Sequence, residues 1–205
     1  MARSFIKPNH LPPGNEVAVL HYLETRDLKH TEVPKIVNIY PHLKQTEYSL
    51  LEGTHGGTYW SEFTLGAGMP LWVIPQIINT IKDLCEHSFS NRDFQVRNFI
   101  FRGSPENPDP PDMKMGLLDF TGGELKKQKL EFLVASVNCM MPCNFEWQIQ
   151  METKAKATFS DFDENIYHQA MALYSMKMAM FWSQEPYGLI MLKQFKREEN
   201  NVISI

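Results

Sequence analysis

The chain has 205 residues and a formal charge of −4, which argues against a protein coated in nucleic-acid-binding charge and leaves only a local basic patch open. Its 43% hydrophobic and 12% aromatic content excludes global disorder and supplies material for one core. No apolar run approaches the roughly 18 residues that span a bilayer, and MARSFIKPNH lacks a signal-peptide apolar core. The 3 cysteines, Cys85, Cys139 and Cys143, have no framework spacing and read as reduced thiols in an intracellular compartment.

Residues 1–15 hold Pro8, Pro12, Pro13 and Gly14 and read as a flexible arm. Glu16–Glu24 reads as a strand, with a short helix as the alternative. Pro34 and Pro41 bracket a short extended segment, KIVNIY. Leu43–Glu52 and Thr58–Leu65 carry β-formers on either side of Gly53-Thr54-His55-Gly56-Gly57, the pattern of a hairpin with a glycine-rich connection. Leu71–Gly103 is the centre of the chain. Ile74, Ile77, Ile78, Ile81, Leu84 and Cys85 mark one face of an amphipathic helix, and Pro75 suits its first turn. Ser90-Asn91 punctuates, and Phe94–Phe101 reads as a strand.

Gly103–Met115 contains Pro105, Pro108, Pro110 and Pro111, so it predicts an exposed loop rather than a ladder or helix. Leu130–Asn138 and Phe145–Met151 alternate as strands, with CMMPC as the turn of a hairpin. Ser160 with Asp161, Asp163 and Glu164 opens a second helix whose apolar face runs through Phe162, Ile166, Ala170, Leu173, Tyr174 and Met178. Tyr187–Phe195 reads as a closing strand and residues 198–205 as a frayed tail. The fold class that follows is α+β: a mostly antiparallel sheet with two main helices packed on it, in one domain over 16–197.

Chemistry-bearing motifs are sparse. G-x-S-x-G, the P-loop, G-x-G-x-x-G and H-E-x-x-H are all missing. His55-Gly56-Gly57 resembles an oxyanion-hole motif but has no nucleophile elbow with it. Cys139-x3-Cys143 has no second ligand pair at a usable spacing, so it reads as turn cysteines rather than zinc ligands. The expectation is a non-enzymatic protein with no catalytic residue, metal or cofactor. One cluster stands out. If the two alternating segments pair, the open end of the hairpin gathers Lys126, Lys127 and Lys129 with Lys154 and Lys156. Such an edge would attract phosphate backbones or anionic headgroups, at about 1 kcal/mol per lysine near a charged membrane. An ordinary solvated edge guarded by lysine is the plainer reading.

In the order of these elements the chain resembles the matrix proteins of rhabdoviruses. The matching blocks are Ile74–Gly103, with Ile77, Ile78, Ile81, Lys82 and Leu84 on the helix, and Phe159–Phe195, from Phe159-Ser160-Asp161-Phe162 to Tyr187-Gly188 and Leu189–Phe195. Arg102-Gly103-Ser104-Pro105 sits where the family's long loop begins. The arm departs from the family, with only Arg3 and Lys7, and Pro12-Pro13-Gly14-Asn15 lacks the tyrosine of a late-budding motif. The resemblance implies a structural protein that self-associates and bridges the viral nucleocapsid, and RNA through it, to the anionic inner face of a lipid envelope. Its location would be the virion, between nucleocapsid and envelope, and in the host the cytoplasm and inner membrane face, with the nucleus as a further expectation. Lys126, Lys127, Lys129, Lys154 and Lys156 would then meet membrane or nucleocapsid. Pro108, Pro110, Pro111, Met113 and Met115 would serve self-association. The alternative expectation is a binding module for a small apolar ligand, held between helix and sheet, or for a protein partner.

Overall fold

A computed structural model describes residues 4–8, 14–61, 64–91, 94–107, 114–120, 123–127, 129–181 and 186–203. In chain order the elements are β1 (Ser4–Pro8), α1 (Gly14–Glu24), β2 (Thr31–Glu32), β3 (Ile36–Tyr40), β4 (Gln45–Ser49) and β5 (Thr54–His55). Then come α2 (Ile74–Glu86), β6 (Ser90–Asn91), β7 (Phe99–Phe101), β8 (Met115–Leu117) and β9 (Gly123–Glu124). Four helices close the chain: α3 (Leu130–Asn138), α4 (Phe145–Thr158), α5 (Glu164–Phe181) and α6 (Pro186–Ile203). The class is α+β, and the described strand pairs are antiparallel except β2 with β8. Six α-helices among the described residues, not two, carry most of the regular structure.

The central unit forms as its pattern predicts. Ile77, Ile78, Ile81 and Leu84 of α2 are buried in the main core with Phe99 and Phe101 of β7. The polar residues Gln76 and Asp83 on this helix are buried too. Gln76 acts as a substitute strand partner: its Oε1 accepts the Arg102 N–H at 3.1 Å and its Nε2 donates to the Arg102 carbonyl at 2.5 Å. Asp83 accepts the backbone N–H groups of Lys29 and His30 at 3.2 and 2.7 Å. Both side chains satisfy backbone groups that have no ladder partner, which is what makes their burial tolerable. Past Arg102 the chain turns at Gly103, whose φ of +85° suits a residue without a Cβ.

Several expected strands are helices. Glu16–Glu24 lies in α1, which buries Val19, Leu20 and Leu23. Leu130–Asn138 is α3, buried on nearly every side, so its apolar run carries no usable period. Phe145–Met151 opens α4, which buries Trp147, Gln148, Met151 and Ala155 and exposes Phe145 and Ile149. Tyr187–Phe195 belongs to α6, which continues through the supposed tail to Ile203. The expected hairpin around Gly53–Gly57 does not form: β4 pairs with β1 and β3, and β5 pairs with β7. The expected strand from Phe94 is confined to Phe99–Phe101. Asp163, not Ser160, caps α5, accepting the N–H groups of Asn165 and Ile166 at 2.9 and 3.1 Å.

The arm is also part of the fold where it is described. Ser4–Pro8 pairs antiparallel with the whole of β4, setting Phe5 opposite Tyr48 and Lys7 opposite Thr46. Since β4 is also paired with β3, β1 is an edge of a 3-stranded sheet whose inner face rests over α1.

Candidate functional site

The five lysines do not sit on a β-hairpin. Lys126, Lys127 and Lys129 precede α3, and Lys154 and Lys156 lie in the last turns of α4. A helical hairpin brings the same two regions toward each other. Glu131 in the first turn of α3 accepts the Asp163 N–H at 2.9 Å, and Glu164, next in sequence, pairs with Lys156 at 3.0 Å. Acids interleave with the lysines there. Lys126 pairs with Glu124, and Lys156 also pairs with Glu152 at 2.8 Å. Lys127, Lys129 and Lys154 are exposed. The region is therefore mixed in sign, weaker as an anion-binding surface than an all-lysine edge.

Of the residues expected in a self-association loop, Pro108, Pro110, Pro111 and Met113 lie outside the described residues. Met115 is no loop residue. It begins β8, is 1% exposed, and packs in the main core, so it has no surface to offer a neighbour. His55-Gly56-Gly57 has a structural explanation: His55 Nδ1 accepts the Gly57 N–H at 3.1 Å, and Gly56 packs onto the Val96 backbone. Cys139 faces the interior while Cys143 is exposed, so the two thiols of the α3–α4 turn differ in access to solvent.

Among the described residues, a cleft between β1, β4 and α1 offers a concave site. It encloses about 210 Å³. Its apolar wall includes Phe5, Leu20, Leu118 and Phe120. Its polar set is compact. Lys7 Nζ lies 3.0 Å from Glu16 Oε1 and 3.0 Å from Asp119 Oδ1. Asp119 reaches the lysine from a left-handed backbone position, φ +55°, which Asp tolerates better than most residues. Burial pushes the Lys7 pKa down, but hydrogen bonds to the two carboxylates outweigh it and the net shift is upward. The lysine is thus a fixed ammonium at neutral pH. Tyr48 also lines the cleft and is 2% exposed. Its hydroxyl is buried beside Thr46 and Glu16, and burial followed by the nearby Glu16 charge raises its pKa.

No motif or periodicity marks this site. Its residues come from the arm, from a helix that reads as a strand, and from a segment beyond the proline-rich loop. The chain matches no protein-family model and no curated protein. Among the described residues no helix is long and apolar enough to cross a membrane.

Proposed function

We propose that the chain is a non-enzymatic binding module that takes a small, largely apolar ligand in the cleft between α1 and the N-terminal sheet. The observation that carries this reading is the apolar-walled cleft itself, with the Lys7 ammonium fixed between Glu16 and Asp119 at its edge. At about 210 Å³ the cleft suits something smaller than a drug-sized molecule, whose pockets begin near 300 Å³. Ligand-observed NMR with hexanol, hexanoate and hexylamine tests it. Saturable binding of at least one probe, lost on filling the cleft with Leu20→Trp in a folded protein, is the expected result. If none of the three binds at millimolar concentration, the cleft is a packing defect and the reading fails.

A second reading rests on α5. Leu173, Met176 and Met180 recur at three- and four-residue spacing and are 52%, 40% and 70% exposed. One exposed apolar helical stripe of this kind suits self-association, as in the matrix-type structural role that the Ile74–Gly103 block resembles. In that role the protein would assemble between a nucleocapsid and an anionic membrane within a virion. The closing strand of the family is replaced here by α6, which counts against it. Light scattering across concentration at low and high salt discriminates. Self-association abolished by Met180→Glu supports the second reading, and a strict monomer removes it.

A further inference from the structure

Three helices of the C-terminal half converge on one histidine. Glu164 and His168 stand one turn apart on α5, and Glu152 faces them from α4, with one ligand atom of each within 4.8 Å of the others. His168 Nε2 is 4.0 Å from Glu152 Oε1. Its other ring nitrogen, Nδ1, lies 2.9 Å from Glu198 Oε2 on α6. Glu198 is only 3% exposed, and its second oxygen takes the Arg197 guanidinium at 2.6 Å. A carboxylate on the remote nitrogen is how proteins fix the tautomer and orientation of a metal-ligating histidine. Here it turns Nε2 toward Glu152.

A cation already stands between those carboxylates. Lys156 Nζ is 2.8 Å from Glu152 Oε1 and 3.0 Å from Glu164 Oε1. Lys156 is in the last turn of α4 with its side chain 36% exposed, so it can swing into solvent. An ion-pair network accounts for Lys156 and the two acids. Protonated, His168 would extend that network between Glu198 and Glu152; neutral, it presents Nε2 as a metal-ligating nitrogen beside the same acids.

We propose that Glu152, Glu164 and His168 form a divalent transition-metal site, oriented by Glu198, in which the Lys156 ammonium holds the cation's position until a metal displaces it. One nitrogen and two carboxylate oxygens are a donor set for zinc, with water completing the shell. Calcium and magnesium prefer all-oxygen sets and higher coordination numbers.

Titration calorimetry with zinc chloride, on the full chain carrying Cys143→Ser to remove the exposed thiol, tests this. One zinc per chain is expected. Glu198→Gln should weaken binding about 10–100-fold, the usual effect of losing an orienting carboxylate. His168→Ala should abolish it, and Lys156→Met should tighten it at least tenfold. That gain cannot come from a misfolded variant. Cobalt absorption in the visible region, lost in His168→Ala, gives a second readout. Zinc binding unchanged by His168→Ala, or no binding to either the parent chain or Lys156→Met, overturns the site and leaves a structural ion-pair network.

Discussion

Single side chains already divide the three cysteines. Burial pushes the Cys85 thiol up to about 11 and the Cys139 thiol up to about 12, while Cys143 is exposed. The nucleophile is the thiolate, so at pH 8 Cys85 holds about one part in a thousand of it and Cys139 about one in ten thousand. Native protein treated with a thiol reagent at pH 8 should therefore modify Cys143 alone, read by peptide mass spectrometry, and denaturant should expose the other two. Rapid native labelling of Cys139 would contradict its placement. Gly56 is decided at the same scale. A Cβ there would stand 1.9 Å from the Val96 carbonyl oxygen, which is backbone and cannot step aside cheaply. Gly56→Ala should cost about 1–3 kcal/mol in chemical denaturation, the usual range for overpacking. The motif that resembles an oxyanion hole is thus explained by close backbone approach.

At the scale of elements, the reading from sequence succeeds where a helix has one apolar face and fails where it does not. The α2 stripe runs Ile74, Ile77, Ile78, Ile81, Leu84, and the helix is where that stripe puts it. In α6 the inward positions are Gly188, Met191, Gln194 and Glu198, while Leu189 and Leu192 face outward. Hydropathy therefore points away from the face that is buried. In α4 the alternation Phe145, Trp147, Ile149, Met151 mixes both faces of a helix and imitates a strand. The cleft was illegible for a related reason: its polar residues are single and distant in sequence, and only the pairing of β1 with β4 unites them. That strand can be tested. Lys7→Ala leaves Glu16 and Asp119 facing each other without their cation. Amide exchange across Ser4–Pro8 and Gln45–Ser49 should accelerate, while α2 amides stay protected. The sign with pH follows from the upward shift of Lys7. Its contribution is full below the unfolded value of about 10.4 and fades as pH rises through the folded value.

For the whole molecule, the decisive contrast is between how α5 and α6 are attached. One contiguous core cluster runs from Val19 of α1 through α2, β7, α3 and α4 to Met171 of α5, and among the described residues it contains none of α6. Besides the fully buried Met191, the described part of α6 is held by amides and charges. Gln194 donates to Ser175 Oγ at 2.7 Å and accepts from Gln148 Nε2 at 3.0 Å, and Arg197 donates to Gln148 Oε1 at 3.0 Å. Exchanging such bonds for bonds to water leaves a net of about 0.5–1.5 kcal/mol each, so the docking is weaker than apolar burial of the same extent. Helix α6 should consequently open as a sub-global unit, below the free energy of global unfolding. Native-state hydrogen exchange with rising denaturant measures this directly. The α6 amides should merge with the global transition last, after α2 and α3. Gln148→Ala removes partners of both Gln194 and Arg197 and should lower α6 protection further, with little change in α2. Equal protection of α6 and α2 in the parent chain would mean that the polar network holds as firmly as the core. Zinc supplies the complementary test: through His168 it would tie Glu198 to α4 and α5, so it should raise α6 protection selectively.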